Sequence, residues 1–233
     1  MMTLVVVVLV VSGALLIGAL WGIYGSLSKP VEGFLIALAG GALLLSLVTE
    51  LIQPGVERTG IWMALGGVAG GAIVFTLIDQ WIERRFGDRS GGGLLAAVTL
   101  DGIPENLALG VALIGAGAPE VAALAGSIFL SNLPEAAGGA KEMAKSGRSK
   151  RAVLGIWAAT AVILSAAAII GNVALEGAPR ETIAVIQCFA AGAVVASLAT
   201  EVFPKAYREE HNWAGLATAL GLMLALLLGE LAP

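Results

Sequence analysis

Long apolar stretches without charged side chains dominate the chain. Eight such segments are predicted, at residues 3–23, 31–53, 60–82, 92–114, 119–138, 152–175, 181–203 and 212–231. Each reaches or approaches the roughly 20 residues that a helix needs to cross the hydrocarbon core of a bilayer. The pattern therefore predicts an all-α integral membrane protein with eight transmembrane helices. Because the connecting segments are short, residues 1–233 are predicted to form a single transmembrane domain.

The composition agrees with a membrane location. Hydrophobic residues make up 58% of the chain, the mean hydropathy is +0.92, and only 13% of residues are charged. A soluble domain carries about 25% charged residues. The fourth and fifth spans are the least regular, because Asp101, Glu105 and Glu135 interrupt them. Six spans plus a re-entrant segment therefore stay open as an alternative.

The positive charges predict the orientation of the helices. Eleven of the 13 Lys and Arg residues follow the first, third, fifth or seventh span, whereas only Arg58 and Arg180 follow the others. Lys and Arg concentrate in cytoplasmic loops. Both termini are therefore predicted to lie outside the cytoplasm, in a multi-pass protein of the plasma (inner) membrane. No Lys or Arg precedes the first span, so it is predicted to be a retained helix and not a cleaved signal.

Two spans share an internal repeat. Residues 39–51 and 190–202 are identical at seven of 13 positions, including Glu50 and Glu201. These spans cross the membrane in opposite directions in the predicted topology. An inverted repeat of this kind is typical of secondary transporters, whose binding site lies near the midplane. The spans are thus predicted to adopt an inverted 3+2+3 arrangement.

Carboxylates occur inside the spans without basic residues. They are Glu50, Asp79, Asp101, Glu105, Glu135 and Glu201. A carboxylate is expensive in hydrocarbon, and such residues usually face a bundle interior or an aqueous cavity and have a function. Because the spans contain no Lys or Arg, a bound cation is predicted to supply the missing positive charge.

The two central spans carry matching Pro-Glu steps. Residues 100–105 read LDGIPE and residues 130–135 read LSNLPE. Each proline lacks an N–H and so frees a backbone carbonyl one turn earlier, while the polar residue four positions before each glutamate shares its helix face. Such oxygen-rich sites suit hard or borderline divalent ions. The predicted metal ligands are Asp101, Glu105, Glu135, Asn132, Asn106 and Ser131.

These motifs resemble the ZIP family of divalent-metal transporters. That family has eight helices, both termini outside, an inverted 3+2+3 arrangement and a metal site between helices 4 and 5. Its fourth helix typically carries His-Asn-x-Pro-Glu-Gly, onto which residues 101–106, DGIPEN, fall. The resemblance implies inward metal transport by alternating access. The divalent ion (zinc, manganese, iron or cadmium) would be the substrate, with no organic cofactor.

The sequence departs from the family pattern in its ligands. The family histidine of helix 4 falls on Asp101, and the first polar position of helix 5 is Ser131. We therefore expect a single, histidine-free metal site and not the two-metal centre of some relatives. An oxygen-based ligand set favours manganese or iron over zinc. The pathway residues that the resemblance implies are Glu50 at the outer end and Asp79 and Glu201 at the inner end.

Two other functions stay open at the level of sequence. One is a membrane-embedded metal-dependent hydrolase, although the Arg or Lys clamps that phosphate chemistry needs are absent from the spans. The other is a proton-coupled carrier of an organic substrate. A non-enzymatic transporter is the leading expectation. Its expected partners are divalent cations, the lipid bilayer and a second copy of the chain in a homodimer. No basic tract points to nucleic acid.

Overall fold

The computed structural model describes residues 2–25, 27–86, 91–114, 116 and 121–231. Side chains are described for all of these except residues 85, 86, 91–98, 100, 101 and 231. The described residues form eight helices and no strand, which confirms the predicted all-helical class. The helices are α1 (Met2–Tyr24), α2 (Lys29–Thr59), α3 (Ile61–Phe86), α4 (Gly91–Ala112), α5 (Ala122–Lys145), α6 (Lys150–Ala174), α7 (Arg180–Glu209) and α8 (Ala214–Leu231).

Five helices in the described part of the chain are long and apolar enough to cross a membrane: α1, α2, α3, α6 and α7. The apolar stretch of α8 is shorter, and α4 and α5, which carry the Pro-Glu steps, are not among the five. Large apolar side chains cover the outer faces of several helices, including Leu9 on α1, Ile73 on α3 and Met223 on α8. A contiguous apolar exterior of this kind belongs in lipid. The protein is therefore membrane-embedded.

Helices α2 and α7 extend past the ends that the sequence predicts. In α2, a π-helical segment at Val48–Ile52 precedes Pro54, and the helix continues beyond that proline. In α7, the π-helical segment at Leu198–Val202 precedes Pro204 in the same way. The wider turn lets the residue before the proline donate its N–H five residues back, from Gln53 to Val48 and from Phe203 to Leu198. Proline at the first turn of the following helical segment costs no hydrogen bond. These prolines therefore do not end their helices.

The most extensive contacts join the helices in four pairs. Helix α1 packs along α5, α4 along α6, α2 along α8, and α3 along α7. Smaller contacts join α1 to α6, α2 to α7, α2 to α5 and α4 to α7. The central helix α5 contributes Leu124 and Ile128 to one buried apolar cluster, and Ala136 and Met143 to another. The polar residues between these positions on α5 thus lie at the junction of the two clusters.

Glycines allow the closest helix approaches. In each of the four main helix pairs, a Cβ added to a glycine would overlap a backbone carbonyl oxygen of the partner helix. Gly22 meets Ala137 between α1 and α5 in this way, and Gly110 meets Ala168 between α4 and α6. The other two helix pairs have two such contacts each: Gly41 with Thr218 and Gly221 with Leu38 between α2 and α8, and Gly192 with Val68 and Gly71 with Phe189 between α3 and α7. Lipid provides no hydrophobic drive for helix association, so van der Waals contact at small residues stabilises membrane bundles. The high glycine content of the spans is thus used in packing.

Candidate cation site between the two central helices

Four polar side chains at or next to the two Pro-Glu steps are buried, and Glu135 is partly buried. Pro104 and Pro134 lie inside continuous helices, α4 and α5, which contact each other. The exposed fractions of their polar neighbours are small: Glu105 4%, Asn106 1%, Ser131 5% and Asn132 2%. Burial of polar groups costs free energy unless each finds a partner. The α4–α5 region is therefore a polar centre inside an apolar bundle.

Asn106 presents a buried acceptor that no described group satisfies. Its Nδ2 donates to the Gly102 carbonyl oxygen at 2.9 Å, one turn earlier on the same helix. Its Oδ1 is buried and has no hydrogen-bond donor among the described residues. An unsatisfied buried acceptor costs about 1–3 kcal/mol. A cation or a water molecule bound next to Oδ1 would remove that cost.

Asn132 fixes α5 against its main packing partner. Its Nδ2 donates to the Val11 carbonyl oxygen of α1 at 3.5 Å. Ser131, next to it in the sequence, is also buried. Both predicted ligands therefore lie in the interior of the bundle and not on its lipid-facing surface.

Glu135 has a basic neighbour that the sequence did not predict. The charges of Lys205 and Glu32 act on its carboxylate. Lys205 Nζ also pairs with Glu32 Oε1 at 3.5 Å. No described ion pair joins Lys205 to Glu135, so the balance of this carboxylate by a bound cation stays a prediction. Lys205 lies against α2 because α7 continues past Pro204, beyond the predicted end of the span.

We expect Lys205→Gln to lower the free energy of unfolding by about 1–2 kcal/mol. The change leaves Glu32, which is 7% exposed, without its counter-charge. Breaking a fully buried pair costs about 3–5 kcal/mol, and Lys205 is partly exposed, so a smaller loss is expected. The double variant Glu32→Gln/Lys205→Gln should recover much of the loss. Unfolding of the detergent-solubilised protein, followed by circular dichroism, measures both.

A second ion pair provides the control. Lys29 Nζ lies 3.0 Å from Glu209 Oε2, but the Lys29 side chain is 66% exposed. Exposed pairs contribute about 0–1 kcal/mol. Lys29→Gln should therefore change stability less than Lys205→Gln, and equal losses would contradict a special role for the Glu32 pair.

The complete predicted ligand set is not brought together by the described contacts. Asp101 lies on α4, but its side chain is outside the described residues. Within the part of the chain that is described, no group of three or more His, Cys, Asp or Glu side chains lies close enough to hold a metal ion. The convergence of Asp101, Glu105 and Glu135 on one ion therefore stays a prediction.

The three predicted pathway carboxylates are all partly buried. Glu50 lies in the π-helical segment of α2 and Glu201 in that of α7, while Asp79 lies on α3, which packs against α7. Glu50 Oε1 accepts a hydrogen bond from the Leu124 N–H at 3.0 Å. Their roles in a metal pathway stay predictions.

Gln187 is a polar residue that the sequence reasoning missed. It is buried on α7, and its Oε1 has no donor among the described residues. The available signal is that Gln187 is the single side-chain amide of the span 181–203.

Comparison with known proteins does not assign the chain to a family. No protein-family model matches the chain, and a search of the curated proteins finds no match. The resemblance to the ZIP family therefore stays an expectation that rests on the Pro-Glu motifs.

Proposed function

We propose that this protein transports a divalent metal cation into the cytoplasm through a site between α4 and α5. The principal ligands would be Asp101, Glu105 and Glu135, with Asn106, Ser131 and Asn132 as further oxygen donors. One observation carries the proposal: two contacting proline-containing helices bury carboxylate, amide and hydroxyl groups inside an apolar bundle. Such groups in a membrane are retained where they serve a transport or binding function.

The chemistry of the donors favours a metal ion over an organic substrate. The predicted ligands offer only oxygen, and the single histidine of the chain, His211, lies near the start of α8. Each proline also frees the carbonyl oxygen four residues before it, at Leu100 and Leu130. Oxygen ligands suit hard and borderline ions such as Mn²⁺ and also accept Zn²⁺. Asn106 Oδ1, buried and without a described donor, is such a ligand group.

The helix contacts support the inverted 3+2+3 arrangement. An inverted repeat relates the helices of the two halves as α1 to α6, α2 to α7, α3 to α8, and α4 to α5. Exchanging each helix for its counterpart converts the observed pairs of packed helices into one another. The α1–α5 contact becomes α6–α4, and the α2–α8 contact becomes α7–α3. The π-helical segments of α2 and α7 also correspond, and each contains a Thr-Glu step.

The glycine contacts repeat at residue level. Gly41 and Gly192 occupy equivalent positions of the repeated 13-residue segments. Gly41 approaches Thr218 of α8, and Gly192 approaches Val68 of α3. The neighbouring contacts made by Gly221 and Gly71 correspond in the same way. This agreement favours common ancestry of the two halves over chance similarity of apolar helices.

The packing also constrains how access would alternate. The α2–α8 and α3–α7 contacts each join a helix of the first repeat to one of the second. Separating the repeats as two rigid bodies would break these close glycine contacts. Alternating access would therefore move groups that contain helices from both repeats. Metal would enter past Glu50 and leave past Asp79 and Glu201, with both termini outside the cytoplasm.

Reconstitution of the full chain in liposomes tests the function. We expect time-dependent uptake of Mn²⁺ or Zn²⁺ into liposomes that contain a trapped fluorescent metal indicator, at a rate well above that of protein-free liposomes. Excess Cd²⁺ outside should slow the uptake. Absence of both uptake and competition would contradict metal transport and would return the hydrolase and the proton-coupled carrier to consideration.

A further inference from the structure

A shielded ion pair joins the start of α2 to the last two turns of α7. Lys205 Nζ lies 3.5 Å from Glu32 Oε1, and the exposed fractions of the two side chains are 29% and 10%. The pair of Lys29 and Glu209 joins the same two helices, but its lysine side chain is 66% exposed. Only the first of these two pairs is therefore largely removed from water.

Gly138 of α5 lies directly against the carboxylate of this pair. A Cβ added to Gly138 would overlap Glu32 Oε1 and the carboxyl carbon next to it. Gly138 is buried, and because it has no side chain the carboxylate rests on the backbone of α5. The contact of Lys205 with Glu32 thus lies where α2, α5 and α7 meet.

This meeting point lies one helical turn beyond Glu135. Ser131, Glu135 and Gly138 are spaced i, i+4 and i+7 on α5, so they share one face of the helix. In the predicted topology α5 runs towards the cytoplasm, which places Gly138 on the cytoplasmic side of Glu135. The charges of Lys205 and Glu32 act on the Glu135 carboxylate, in agreement with this placement. An ion that leaves Glu135 along this face meets the ion pair.

The contacts around the ion pair differ in rigidity. A Cβ added to Gly33 would overlap the carbonyl oxygen of Ala206, so the backbones of α2 and α7 pack closely here. Towards α5, by contrast, the contacts include the side-chain end of Glu32 and the Lys141 ammonium group, which donates to the Leu27 carbonyl oxygen. The ends of long side chains can separate without a change in the backbone of either helix.

We propose that the Glu32–Lys205 ion pair, packed on Gly138, is the cytoplasmic gate of the site between α4 and α5. Movement of Lys205 away from Glu32 lets the carboxylate leave Gly138 and opens a polar route to Glu135. Glu201, a predicted exit residue, lies about one turn before Lys205 on α7. As the exit of a transported cation the gate rests on the proposed function, but its control of water access to this face of α5 does not.

The reactivity of a thiol at position 131 tests the gate without any metal. Cys188 is the only cysteine of the sequence, so Cys188→Ala combined with Ser131→Cys gives the full chain a single thiol on the face of α5 that carries Glu135. Inside-out membrane vesicles present the predicted cytoplasmic end to an impermeant, positively charged methanethiosulfonate reagent. Ser131 is 5% exposed, so the reaction in this background should be slow.

Two changes are expected to open the gate by different means. Gly138→Ala displaces the Glu32 carboxylate and keeps every charge, whereas Glu32→Gln/Lys205→Gln removes the attraction and keeps the glycine. Each should speed the thiol reaction about tenfold or more, because loss of a contact made only in the closed state shifts the population towards the open state. Lys29→Gln is the matched control, since it breaks the exposed pair between the same helices, and it should leave the rate unchanged.

A second thiol position separates gate opening from general loosening of the bundle. Thr160 is fully buried on α6, so Thr160→Cys in the Cys188→Ala chain should stay unreactive in both gate variants. Reaction at position 160 that rises with the reaction at position 131 would overturn the gate, because loss of packing would then explain both.

The outcomes also separate the gate from the proposed function. Faster reaction at position 131 in both gate variants, but not in Lys29→Gln, supports the gate even if wild-type liposomes take up no metal. Equal rates in all variants, or a fast reaction before any gate change, would overturn the gate even if liposomes do take up metal.

Discussion

Glu105→Ala is expected to reduce metal uptake into liposomes by about 100-fold or more. Loss of groups that merely support metal ligands costs about 10- to 100-fold in affinity, and loss of a ligand itself should cost at least as much. Glu105 is 4% exposed and adjoins Asn106, whose buried Oδ1 has no described donor. The initial rate of Mn²⁺ uptake at equal protein density measures the effect.

Two further variants show whether the loss comes from the ligand or from folding. Glu105→Gln keeps the size and hydrogen-bonding ability of the side chain but removes its charge, so it should fold normally and still lose most of the uptake. Glu57→Ala removes an exposed carboxylate from α2 and should transport like the wild type. Wild-type uptake by Glu105→Ala would contradict the role assigned to Glu105.

Gly71→Ala is expected to lower the free energy of unfolding by about 1–3 kcal/mol, the usual cost of overpacking. A Cβ at this position would overlap the carbonyl oxygen of Phe189, where α3 and α7 approach most closely. The helices would have to separate. The loss should occur even though alanine stabilises an isolated helix relative to glycine by about 1 kcal/mol. Thermal or denaturant unfolding in detergent, followed by circular dichroism, measures it.

Gly66 provides the matched control on the same helix. It is exposed, and no atom lies within 4 Å of the position that its Cβ would occupy. Gly66→Ala should therefore leave stability unchanged or raise it by up to about 1 kcal/mol, because only the helix preference changes. Equal stabilities of the two alanine variants would show that α3 and α7 do not pack through Gly71.

The predicted spans agree well with the helices because hydropathy is a local property. The first span, 3–23, matches α1 at Met2–Tyr24, and the eighth, 212–231, matches α8 at Ala214–Leu231. The fifth was predicted to end at residue 138, whereas α5 continues to Lys145. Its last turns contain Lys141, Glu142 and Lys145, which favour helix but not hydrocarbon. Hydropathy detects the apolar part of a helix and not its polar extension.

The environment of the carboxylates was harder to predict. The sequence identified Glu135 and Glu50 as polar residues in apolar spans. It could not show that the positive charge of Lys205 influences the Glu135 carboxylate. Nor could it show that the Leu124 N–H donates a hydrogen bond to Glu50. These partners lie about 70 residues away in the chain. Such contacts depend on which helices pack together, and the pattern within one span carries no information about them.

The sequence by itself determined that this chain is a helical membrane protein with carboxylates in its interior, because apolar length and charge are properties of the residues alone. It also determined the two Pro-Glu steps and the repeated segments of α2 and α7. Only the tertiary structure decided which helices pair, through glycines such as Gly71 that admit a neighbouring backbone. It also decided which buried oxygens, at Asn106, Glu50 and Gln187, face no donor among the described residues, because partners are fixed by the packing of distant helices.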